Sequence, residues 1–279
     1  MVKVFKNVFP ALYKNYGNKT PGFYMSERLK KNLDICKNRQ KSDNDLFLII
    51  DGPEGSGKSV FAQQVGFYLD PSLTVDRIAF NSKDFKNKIS EAKKDQCIIF
   101  DEAMKGLHSR SATSALNKML VELFSEMRQD NLIIIIVLPT FFELDKYPAI
   151  HRSFFLLHTY LYKLKRGYFK FYNFQDKKFI YLKGKRTYDY SISKPRFKGR
   201  FTKFYTVDED LYKKRKRNAY KRKFDLENSE EVPKTLENEY AAIKDILKLL
   251  LKGSKTKVLE KLSQKVGRGK NFLYKIMRE

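Results

Sequence analysis

At 279 residues, with 42% hydrophobic and 32% charged side chains, the chain can hold one full α/β domain and a smaller second unit, and its core needs no disulfide or metal staple. Its two cysteines, Cys36 and Cys97, lack CxxC spacing and its three histidines are scattered, which argues against a disulfide scaffold or an intrinsic zinc site. The 57 Lys and Arg against 32 Asp and Glu leave a net charge of +25, the balance of a protein with a polyanionic partner or of a Lys-rich, merely solvated surface.

Residues 1–45 form a basic and aromatic lead-in. MVKVFKNVFPALYKNYGNK never sustains an apolar run, so no signal peptide is expected. SERLKKNLDICKNRQ, Ser26 to Gln40, predicts a helix capped by Ser26, with Leu29, Leu33, Ile35 and Cys36 on one face. LFLII, Leu46 to Ile50, predicts a strand, followed by a glycine loop and a helix from Lys58 to Tyr68. RIAF (77–80) is a short strand, and NSKDFKNKISEAKK a helix with Asp84 or Ser82 as its cap. CIIF (97–100) reads as a strand buried on both faces, with Cys97 a small core residue.

Ser111 to Gln129 predicts a long amphipathic helix carrying Leu116, Met119, Leu120, Leu123, Phe124 and Met127 at helical spacing. LIIIIVL then makes a central strand and SFFLLHTYLYKL another, so strands alternate with helices as in a parallel sheet. The most apolar window, Leu132 to Pro139, is too short to cross a bilayer. The expectation is a soluble, cytoplasmic protein with no membrane partner.

After Arg166 the texture changes. GYFKFYNFQDKKFIYLKG alternates aromatic and polar residues around Gln175 and Asp176 and predicts an antiparallel hairpin there. Tyr188 to Tyr205 reads as extended or irregular, YKKRKR (212–217) begins a basic helix or tail, and LENSEEVPK (226–234) is a linker. A helix from Thr235 to Lys252, stopped by Gly253, precedes two short helical faces around VGRG, which together predict a three-helix helix-turn-helix unit. The expected organisation is 1–45 lead-in, 46–225 α/β domain with a basic, aromatic β-rich extension, 226–234 linker, and 235–279 helix-turn-helix unit.

Charge is unevenly spread, with roughly two-thirds of the net surplus between Tyr160 and Phe224. Lys213, Lys214, Arg215, Lys216 and Arg217 suit sequence-independent phosphate contact. Arg268, Lys270, Asn271, Tyr274 and Lys275 would face the major groove from a recognition helix, unless the terminal unit is a helical lid or oligomerisation bundle.

The sharpest chemistry lies in DGPEGSGKSV. Its G-x-x-x-x-G-K-S pattern, strand before and helix after, predicts a phosphate cradle over Gly52, Pro53, Glu54, Gly55, Ser56, Gly57, Lys58, Ser59 and Val60. Lys58 would meet the β- and γ-phosphates of ATP and the Ser59 hydroxyl would ligate Mg2+. CIIFDEA supplies Asp101 as the second Mg2+ group, through water, and Glu102 as the group that polarises an attacking water.

GPEGSGKS, IIFDEA, a long helix ending in Arg128, and IIIIVLPT together resemble the additional-strand, catalytic-glutamate P-loop ATPases, over about Leu46 to Leu164. Within that class they look most like the DNA-pumping branch with FtsK, HerA and viral packaging ATPases, and the Zot-like morphogenesis proteins of phages are also similar. The resemblance implies a RecA-like sheet, a homo-oligomeric ring, and an arginine reaching across the subunit boundary, with Arg128 first and Arg110 and Arg152 behind it. Where that branch often has a glutamine, this chain has Pro139 and Thr140, so the γ-phosphate sensor role falls to Thr140. FtsK and Zot-like proteins usually carry a membrane segment, and none is visible in this sequence.

The implied function is an ATP-driven motor that moves or packages double-stranded DNA for a virus or plasmid, with a capsid or portal component as a further partner. Its alternatives are a replication ATPase or helicase loader, an ATP-switched DNA-binding protein, and a nucleotide kinase. GPEGSGKS is similar to the loop of thymidylate kinases, but Glu102, the expected added strand and the basic C-terminal half argue against that reading.

Overall fold

A computed structural model describes residues 2–4, 23–101, 116–124 and 130–228. The chain divides into two compact units, Met1–Ala219 and Tyr220–Glu279. The residues that build the candidate site below belong to the first. The helix-turn-helix expected over 235–279 lies outside the described residues.

A short antiparallel pair, β1 (Val2–Val4) and β2 (Phe23–Met25), leads into α1 (Glu27–Lys41). The order then runs β3 (Leu46–Asp51), α2 (Lys58–Leu69), β4 (Ile78–Ala79), α3 (Ser82–Ser90), β5 (Cys97–Phe100), helical residues 116–124 (α4) and β6 (Ile133–Val137). It continues with a π-helical turn (Tyr147–Arg152), β7 (Ser153–Tyr162), β8 (Lys165–Tyr172), α5 (Phe174–Gly184), β9 (Phe197–Arg200) and α6 (Glu209–Asn228). β3 to β9 form one sheet in the order β4-β5-β6-β3-β7-β8-β9, parallel from β4 to β7 and antiparallel through β8 and β9.

The sheet is the middle of three layers because its central strands β3, β5 and β6 are apolar on both faces. Leu46, Leu48 and Ile50 of β3 join a core with α1, α2 and the segment Phe201–Tyr212. Phe47 and Ile49, one residue out of step, join the opposite core with α3, α4 and α5. α1 buries Leu29, Leu33 and Cys36, while Ile35 is exposed because it falls off that stripe. The described part of the expected 111–129 helix buries Leu116, Met119, Leu120, Leu123 and Phe124, and Met127 lies outside the described residues.

Three expectations are corrected. The hairpin does not turn at Gln175 and Asp176, which sit in the first turn of α5; Asn173 caps that helix by accepting from the Asp176 amide at 2.9 Å. The turn lies at Lys163 and Leu164 between β7 and β8, with φ of 47° and 61°. α3 is capped by Asn81, which accepts from the Asp84 amide at 2.8 Å, rather than by Ser82 or Asp84. Residues 226–228 of the expected linker are the end of α6, which runs to Asn228, and 229–234 lie outside the described residues.

Candidate active site

β3 ends at Asp51, and the chain passes through Gly52 to Gly57 into α2. Gly52 has φ 133°, and a Cβ there would stand 2.1 Å from the Thr159 carbonyl oxygen on β7. Only glycine permits that approach. Ser56 is fully buried, its Oγ 2.7 Å from Thr159 Oγ1, and Thr159 Oγ1 donates to the Asp51 carbonyl at 2.9 Å. The loop is thus fastened to β7 from below, while Pro53, Glu54 and Gly55 are exposed above.

Gly57, left-handed at φ 98°, caps α2 and turns the helix start toward the loop. The leading amides of a helix have no intrahelical acceptor, and with the helix dipole they favour an anion. Lys58 Nζ donates to the Gly52 and Pro53 carbonyls at 2.7 and 2.9 Å, which sets an ammonium directly against the loop. Arg166 on β8 comes close as well, with a guanidinium nitrogen 3.8 Å from where a Gly55 Cβ would be. Val60 follows in the first turn of α2.

Asp101 directly follows β5, is 1% exposed, and is anchored by its amide donating to the Ala79 carbonyl at 2.9 Å. Ser59 Oγ donates to Asp101 Oδ1 at 2.9 Å. The glycine-loop strand and the acid-bearing strand are not neighbours, since β6 lies between them. Ser59 and Asp101 present hard oxygen donors, and the chemistry of that set fits Mg2+ completed by phosphate and water. Among the described residues no group of three or more His, Cys, Asp and Glu gathers to hold a metal without such help.

α6 closes the far side of this pair. The Tyr212 hydroxyl donates to Asp101 Oδ2, and Lys216 Nζ donates to the same oxygen at 2.9 Å. Burial, then the Asp101 charge, push the Tyr212 hydroxyl far above its ordinary range, so it stays a donor. The basic run is therefore divided. Lys213 pairs with Glu209 at 2.6 Å, Arg215 with Asp76 at 2.6 Å, and Lys216 turns inward, while Lys213, Lys214 and Arg217 are exposed.

Thr140 belongs to a second cluster, built on Asp51. Its hydroxyl lies 3.0 Å from Tyr190 OH, and Tyr190 in turn donates to Asp51 Oδ2. The Phe141 amide donates to that oxygen at 2.8 Å, and His158 Nδ1 lies 2.9 Å from Asp51 Oδ1. Burial is the first cause holding the Tyr190 hydroxyl far above its ordinary range, with Asp51 adding to it. Arg152 sits elsewhere, paired with Asp45 just before β3 and stacked 4.6 Å over Phe124. That is the opposite end of β3 from the glycine loop.

Glu102, Arg110, Arg128, Arg268, Lys270, Asn271, Tyr274 and Lys275 lie outside the described residues. Sequence reasoning missed Asp51, Thr159, His158 and Tyr190, which carry no motif, and Tyr212. The signal for Tyr212 was its spacing of four from Lys216 inside a run read only for charge.

Fold and site together define an α/β protein with a mixed, mostly parallel sheet, a glycine loop entering a helix, and a buried aspartate two strands away. Among the described residues no helix is long and apolar enough to cross a membrane. Compared with known proteins, the chain matches no family model and no curated protein.

Proposed function

We propose that this chain is an Mg2+-dependent ATP hydrolase of the P-loop class that acts on DNA as a homo-oligomeric motor. The observation that carries the reading is the 2.9 Å contact between Ser59 and Asp101, made across an intervening strand. An inserted strand of this kind is what the resemblance to additional-strand ATPases leads one to expect, and it supports hydrolysis over transfer to a small acceptor.

In this reading the amides of 55–59 and the Lys58 ammonium hold the β- and γ-phosphates. Ser59 and Asp101 hold Mg2+, which supplies charge neutralisation to the phosphates when bound. Glu102, next in sequence to Asp101, orients and deprotonates the attacking water. Arg128 from a neighbouring subunit and Thr140 are the supporting groups, Thr140 acting through its link to Tyr190 and Asp51. The surplus charge of 160–224 favours a phosphate-backbone partner, and packaging or translocation of double-stranded DNA is the form of work proposed.

Glu102→Gln is the direct test. ATP binding should survive while turnover falls by about two orders of magnitude or more, the scale of a lost general base. Lys58→Ala should weaken nucleotide binding itself. Wild-type turnover in Glu102→Gln would remove Glu102 from the mechanism. One observation favours a second reading, an ATP-switched DNA-binding protein: the basic helix α6 enters the nucleotide site through Tyr212 and Lys216.

A further inference from the structure

Asp101 has more partners than its metal-holding role requires. Oδ1 accepts from Ser59, and Oδ2 accepts from both Tyr212 and Lys216. Lys216 Nζ also lies 3.2 Å from Ser59 Oγ and 3.2 Å from Tyr212 OH. One ammonium is thus within hydrogen-bonding distance of both side chains assigned to the cation, at Ser59 Oγ and Asp101 Oδ2. Tyr212 and Lys216 are four residues apart, so they project from one face of α6. Tyr212 is 3% exposed and packs against Phe80 and Tyr205, with ring centroids 5.7 Å away in each case.

We propose that Lys216 is the built-in counter-ion of the Ser59–Asp101 pair, and that Mg2+ loads only when Lys216 leaves; this rests on the nucleotide reading above. A buried carboxylate without a positive partner is costly, so Lys216 stabilises the metal-free pair. A divalent cation held by the same two side chains would repel the ammonium at close range, in surroundings that screen poorly. The two cations compete for one position. Tyr212 brings no charge and can stay, which makes it a positioning residue that keeps Asp101 aimed at Ser59. Lys216 is therefore a determinant of cation affinity, and α6 is the element that must shift when the site fills.

The test is the affinity of the full chain for a fluorescent, non-hydrolysable ATP analogue, measured with Mn2+ and again with chelator. The ratio of the two constants isolates the cation's contribution and cancels general effects of a substitution on the fold. Lys216→Met and Lys216→Gln should each raise the ratio about tenfold or more, the scale of one charge-assisted contact. Tyr212→Phe, which leaves the lysine in place, should not raise it. An unchanged or lowered ratio in both Lys216 variants, with analogue binding intact, overturns the proposal and leaves the nucleotide reading standing. Failure of the wild-type chain to bind the analogue under either condition would overturn both.

Discussion

Gly52 and Gly55 both carry positive φ, 133° and 74°, but their surroundings differ. A Cβ on Gly52 would meet the Thr159 carbonyl oxygen at 2.1 Å, whereas on Gly55 its nearest neighbour is the end of the Arg166 side chain at 3.8 Å. Gly55→Ala should therefore cost only the left-handed backbone term, about 1–2 kcal/mol. Gly52→Ala must also push β3 from β7, and should cost about 3 kcal/mol or more. Urea unfolding of the two variants checks the ranking, and equal losses would contradict the account of how the loop is fastened. The glycines themselves were legible from the motif. Their anchor was not, because Thr159 lies about a hundred positions away in an alternating strand and looks like any other polar residue there.

At the scale of elements, α5 is held by a buried lysine. Lys177 is fully buried, and its Nζ donates to the Ala149 and Ile150 carbonyls of the π-helical turn at 2.9 and 2.6 Å. Burial pushes its pKa down from 10.5 to about 7. The unfolded chain thus holds that proton more tightly than the folded one. The resulting penalty is full below pH 7 and is relieved as pH rises toward 10.5, adding stability at up to about 1.4 kcal/mol per pH unit. Comparing urea midpoints at pH 7 and 9.5, the wild type should gain more stability than Lys177→Met. Identical gains would show that Lys177 does not titrate in this window.

The same region shows where element-level reading failed. The aromatic alternation of β8 stops at Tyr172, and Asn173 switches the chain to a helix by side-chain capping, a short signal inside a longer pattern. The true hairpin turn is Lys163-Leu164, which lacks the Asn-Gly or Gly signature that positive φ usually brings. By contrast β3, β5 and β6 were legible because their runs are apolar on both faces, and α1 because its buried stripe repeats at helical spacing.

For the whole molecule, the decisive feature is strand order. Single strands can be read from composition, and LIIIIVL read as a central one, but the place of β6 between β3 and β5 follows from how the crossovers pack and was not legible in the sequence. The approach of α6 to Asp101 had no sequence warrant beyond a spacing of four. Both features converge on the same two side chains, Ser59 and Asp101. If these hold Mg2+ and ATP for hydrolysis, a single assay decides most. Phosphate release from ATP should be followed with and without Mg2+ and duplex DNA, in the wild type and in Asp101→Asn. The account predicts Mg2+-dependent release that duplex DNA accelerates and that Asp101→Asn reduces by two orders of magnitude or more. No release above background, or release unaffected by Asp101→Asn, would contradict it.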